Sequence, residues 1–93
     1  MSVFIVGGDY LGNIPAKLKG FGFTEIKHLS GRKKGHVAVE IPQEVDVVLV
    51  LTNYVNHGCA VKIKEKARKM GVKTIFTRRA WSHISETLAR EIG

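Results

Sequence analysis

The apolar positions of this chain fall into short blocks, and the longest of them is the run Val47-Val48-Leu49-Val50-Leu51. It stops abruptly at Thr52, Asn53, Asn56 and His57, and a helix-like pattern follows. Unbroken β-type residues of that length predict a strand over 46–51 that is buried on both faces, as in a parallel sheet. Such a strand delivers its trailing polar groups to the start of a helix.

The same reading extends to both ends of the chain. Val3-Phe4-Ile5-Val6 is a first buried strand that ends in Gly7-Gly8, where the backbone can turn tightly. Leu11, Ile14 and Leu18 fall at helical spacing, with Asn13 as N-cap and Pro15 in the first turn. Gly20 and Gly22 are expected to stop that helix. Phe23, Ile26 and Leu29 bracket a second strand over 24–29, less apolar and so suited to a sheet edge. Alternation is weak over 36–41, and Pro42 then holds the chain extended. A second helix, capped by Asn56, runs to about residue 70 with Ala60, Ile63, Ala67 and Met70 in phase. Lys62, Lys66 and Lys69 share its outer face, and Gly71 ends it. A fourth strand spans 73–76, and Ser82 is placed to cap a last helix carrying Ile84, Leu88 and Ile92.

Strands that alternate with helices imply parallel pairing through right-handed crossovers. The expected fold is α/β: a small Rossmann-like three-layer domain over 1–93, with a four-stranded parallel sheet in the order 2-1-3-4 and about three helices. A sheet of this kind has two open edges, so a homodimer is expected.

Composition changes this picture in a few respects. No run of about 18 apolar residues occurs, and the start of the chain lacks a signal-like pattern, so no membrane association and a cytoplasmic location are expected. The single cysteine, Cys59, excludes an internal disulfide. The formal charge of +7 is large for 93 residues and points to anionic partners: a small anionic ligand first, with a nucleic-acid or protein interaction domain as an alternative.

Ligands of open parallel sheets bind where the strands end, near the switch in strand order. Gly7, Gly8 and Asp9 reach that edge after the first strand. Thr52, Asn53, Asn56 and His57 reach it after the third, and Arg78, Arg79 and Trp81 after the fourth. Helix starts with unpaired N–H groups, glycine backbone and arginine forks together favour a phosphate or a nucleotide. The glycine spacing is neither the dinucleotide fingerprint nor a P-loop, and no cofactor is implied. His57 can serve as base, nucleophile or hydrogen-bond donor, which leaves open a phosphoryl- or acyl-transfer enzyme. Its alternative is a structural histidine. Cys59, two residues on, is a thiol activated by the helix start, a small core residue or, as a minor alternative, a metal or haem ligand together with His57, although His28, His36 and His83 form no obvious metal set with them. Trp81 either stacks on a ligand ring or packs beneath the last helix. The loop Ser30-Gly31-Arg32-Lys33-Lys34-Gly35 is either an anion contact or a solvated turn.

The motifs G-G-D-Y-L-G-N-I-P, H-L-S-G-R-K, V-L-V-L-T-N-Y-V-N-H and F-T-R-R-A-W-S stand in order along the chain. With them the sequence resembles a small bacterial family of unknown function, DUF2325. The resemblance implies a Rossmann-like plan with no assigned activity. It draws attention to Gly8, Asp9, Gly12, Asn13, Gly31, Arg32, Thr52, Asn56, His57, Arg79, Trp81 and Ser82. This chain departs from the family pattern at Tyr10, Asn53 and Ala80.

Overall fold

In the computed structural model the described residues are 1–8, 10–30, 40–55 and 57–92. Asp9, Gly31 and Arg32 with the rest of the basic loop to Gly35, most of the weakly alternating stretch 36–41, and Asn56 lie outside them. The elements are β1 (Ser2–Val6), α1 (Ile14–Phe21), β2 (Glu25–Leu29), β3 (Val47–Leu51), a 3₁₀ turn (Thr52–Tyr54), α2 (His57–Met70), β4 (Lys73–Thr77) and α3 (Trp81–Glu91). All pairings are parallel, and the sheet order is β2-β1-β3-β4. The fold is therefore the Rossmann-like α/β plan that the pattern of strands and helices predicts.

Strand alternation explains the three layers. Val3, Ile5, Val47, Leu49, Leu51 and Ile75 point to one face, where they meet Ile14 and Leu18 of α1 and Ile84 and Leu88 of α3. Phe4, Val6, Val48 and Val50 point to the other, where they meet Ile63 and Ala67 of α2 together with Ile41 and Val45. The two central strands are apolar at nearly every position because each of their faces carries a helix layer. β2 buries no residue fully, as fits its place at an edge. At the opposite end of the sheet from the strand tips, β1 and β3 are fastened together. The Ser2 N–H donates to Asp46 Oδ2 at 2.8 Å, and the Asp46 N–H donates to the Ser2 carbonyl at 3.0 Å.

Several local expectations are corrected. α1 continues through Gly20 and stops at Gly22, whose φ of 124° belongs to glycine. Gly20 is exposed and meets nothing, so its cost is only the usual helix penalty, roughly 1 kcal/mol. Asn13 holds the N-cap position, but its side chain makes no capping bond. α3 begins one residue before Ser82. The reason is Trp81, which packs on the core while the Ala80 carbonyl accepts from the N–H groups of His83 and Ile84. Met70, in phase with the buried face of α2, is exposed at the helix end. Among the described residues no helix is long and apolar enough to cross a membrane.

Candidate functional site

The residues selected at the strand tips separate into three groups. The first surrounds Gly7 and Gly8, both buried. Gly7 donates its N–H to the Leu29 carbonyl at 2.9 Å. The Gly7 and Gly8 carbonyls both accept from Nε2 of His28, at 3.0 and 2.9 Å. Two carbonyl acceptors on one ring nitrogen mean that Nε2 carries the hydrogen. The glycine turn is thus bound to β2, and the Gly7 N–H is spent within the fold. At Gly8, φ is +76°, and an added Cβ would lie 3.9 Å from Leu11 Cδ2. Glycine is needed there for the backbone angle rather than for space.

A second group is centred on Arg79. Its N–H donates to Asn53 Oδ1 at 3.0 Å, and its guanidinium Nη2 donates to the Tyr10 carbonyl. One residue, through its main-chain N–H and its guanidinium, therefore joins the segments that follow β1, β3 and β4. Beside it, Thr52 Oγ1 donates to the Thr77 carbonyl at 3.3 Å, and Thr87 Oγ1 on α3 donates to Thr77 Oγ1 at 3.4 Å. Trp81 belongs to the core side of this edge. It is half-buried against the α1/α3 cluster, with Lys17 Nζ 5.7 Å from its ring centroid, a cation–π contact between α1 and α3. Arg78 is exposed, and so is Asn13 at the start of α1.

The third group is a groove between α2 and β4. It has a volume of about 380 Å³ and is lined by Thr52, Val55, His57, Ala60, Val61, Lys64 and Phe76. His57, Ala60, Val61 and Lys64 recur at intervals of three and four residues and so share one face of the helix. Phe76 pairs with Val50, which sets its ring on the α2 side of the sheet. His57, in the first turn, and Thr52 are both exposed. None of the described lining residues is acidic.

Cys59 has no activated thiol. Burial pushes its pKa up, and the Lys62 ammonium offsets this only in part. The thiol stays protonated at neutral pH and packs beside the α2 core cluster, as a small core residue does. No group of three His, Cys, Asp or Glu able to hold a metal occurs among the described residues.

Sequence reasoning found Thr52 and His57 but missed the rest of the groove, and it missed His28 as the tie to the glycine turn. Lys64 was legible in principle, since it follows His57 by seven positions and lies in helical phase with it. Phe76 was not, because a short strand does not reveal which of its faces is left partly open.

A parallel sheet in this order, with helices on both faces and polar groups gathered at the strand tips, defines a small Rossmann-like domain. The chain belongs to the bacterial family DUF2325, described as an uncharacterized protein conserved in bacteria, which it matches over residues 2–90. Comparison with curated proteins and with solved structures returns no match.

Proposed function

We propose that this protein binds a small anion with an apolar or aromatic body, such as a nucleotide, in the groove between α2 and β4. The observation that carries the reading is the composition of that groove. Val55, Val61 and Phe76 offer an apolar surface, while Thr52, His57 and Lys64 offer polar and cationic groups, with no described carboxylate opposing them. At about 380 Å³ the groove is near the small end of the range for ligand sites, roughly 300–1,000 Å³. It lies beside the first turn of α2, whose N–H groups and dipole favour negative charge. From His57 to Lys64 the helix rises about 10 Å, so the ligand would be elongated along α2. The phosphate would sit by His57 and Thr52, and the ring would lie on Phe76 and Val61. The overall charge of +7 would draw such a ligand in.

This narrows the set drawn from sequence. Arg79, Asn53 and Gly7 serve the frame that holds the edge, and Thr52 and His57 serve the ligand. The absence of an acidic partner among the described lining residues favours binding over a transfer reaction at His57.

Thermal melting with inorganic phosphate, nucleoside monophosphates and the matching nucleosides tests the proposal. Nucleoside monophosphates are expected to raise Tm, and nucleosides are not. Lys64→Ala and His57→Ala should lose the shift while keeping the ligand-free Tm. No shift with any phosphate at millimolar concentration, or an unchanged shift in both variants, rejects it.

A further inference from the structure

We infer that β4 is the edge through which two copies of this chain pair, antiparallel and about a two-fold axis, to form one continuous sheet. The two edge strands of the sheet, as the described residues define it, are chemically different. β2 reads E-I-K-H-L, with the charges of Glu25 and Lys27 spread along it. Charge distributed along an edge resists strand addition. β4 reads K-T-I-F-T and has neither proline nor glycine. Its one charge, Lys73, is at the end of the strand, where Nζ lies 3.4 Å from Glu91 Oε1 of α3. Among the described residues β4 pairs only with β3.

The backbone of β4 is also self-complementary. The Thr77 carbonyl faces β3, since it accepts from Thr52 Oγ1. Backbone polar groups alternate in direction along a strand, so those of Ile75 and Lys73 face β3 as well, and those of Thr74 and Phe76 face outward. Antiparallel pairing centred on Ile75 sets Thr74 opposite the partner's Phe76, and Phe76 opposite the partner's Thr74. Each of these pairs exchanges both of its N–H···O bonds. Every outward polar group at the centre of the strand is then satisfied. An isologous arrangement of this kind closes on itself.

Side chains support the same register. Residues opposite one another in an antiparallel pair share a face, so both Phe76 rings lie on the α2 side. Phe76 is 39% exposed and Val61 on the neighbouring helix 43%, and both flank the axis. The partner's Thr74 would stand beside Phe76 and close the outer side of the groove. The two grooves would then open into one cleft between the α2 helices. The pairing itself does not depend on what the groove binds.

Analytical ultracentrifugation of the full chain at about 100 µM tests this, since dimer populations follow protein concentration. The wild-type chain is expected at twice its 10.3 kDa mass. Thr74→Pro removes an outward donor and leaves the β3 ladder intact, so it should sediment as a single chain with an unchanged far-UV circular dichroism spectrum. If Thr74→Pro does not fold, Phe76→Lys decides, because it changes an exposed side chain and sets like charges near the axis. A wild-type chain at single mass overturns the inference. So does a folded variant that keeps the double mass.

Discussion

The guanidinium of Arg79 donates to the main-chain carbonyl of Tyr10, 69 positions earlier in the sequence, while the Arg79 N–H donates to the Asn53 side chain. Three segments that are distant in sequence are thereby held in register at the tips of β1, β3 and β4. Strand-end loops that would otherwise move independently are joined by one residue. Among the described residues, the edge is cross-linked where Arg79 lies and forms a groove alongside α2.

Arg79→Ala should therefore destabilise the fold more than a surface substitution does. Hydrogen bonds to a charged group contribute about 1.5–3 kcal/mol, and partial exposure puts the expected loss near the low end of that range. Tm should fall by roughly 5–10 °C. Arg79→Lys keeps the charge but not the fork, and should recover only part of the loss. A variant that melts like wild type would show that the clamp contributes nothing to stability.

Gly8→Ala addresses the glycine turn. An alanine Cβ fits the space, so the cost is the positive φ alone, about 1–2 kcal/mol. His28→Ala removes the donor shared by the Gly7 and Gly8 carbonyls and should cost about 1 kcal/mol. Because both changes loosen one turn, the double variant should lose less than the sum of the two. Urea denaturation of the four proteins measures all three terms.

Leu49 lies at the centre of β3 with no exposed surface. Truncation to alanine opens a cavity among β1, β4 and both helices of that face, at a cost of about 2–5 kcal/mol. For a chain of 93 residues this approaches the whole of the stability. Leu49→Ala is expected to be unfolded or molten at 37 °C, as read from near-UV circular dichroism, whereas Met70→Ala at the exposed end of α2 should fold normally.

The thiol of Cys59 gives a pH test with a defined sign. Its folded-state pKa is raised by burial. The folded protein therefore holds the proton more tightly than the unfolded chain does. The associated stability is complete below the ordinary thiol pKa of about 8.5 and is lost as pH rises toward the folded value. Between pH 7 and about 10, wild type should lose stability faster than Cys59→Ala, in which that dependence is absent. At neutral pH, iodoacetamide should react with Cys59 more slowly in the native protein than in the same protein unfolded in urea.

How much of this was legible depends on the length scale of each signal. β3 declares itself because five consecutive apolar residues fit only a strand covered on both faces. Parallel pairing follows from alternating elements and crossover handedness, so the meeting of strand tips at one edge was available without coordinates. Helix ends were less so. The start of α3 is set by Trp81 reaching the core, which overrides the capping preference of Ser82 for the preceding position. The fate of each polar residue at the edge was not available at all. Whether Arg79 meets an anion or the Tyr10 carbonyl depends on a contact across nearly the whole chain. Whether Gly7 offers its N–H outward depends on Leu29 in the neighbouring strand. Sequence pattern identifies which residues reach the edge, and packing decides how their hydrogen bonds are spent.

The all-parallel sheet also bears on how the chain folds. No described strand pairs with its successor through a tight hairpin, because each parallel neighbour is reached by a crossover. β1 bonds to both β2 and β3, and its link to the start of β3 spans 44 residues, between Ser2 and Asp46. Loop-closure entropy must be met before those contacts return anything, which places folding among the slower mixed α/β topologies. During synthesis β1 emerges before both of its neighbours, so Val3, Phe4, Ile5 and Val6 cannot be covered on both sides until β3 has followed.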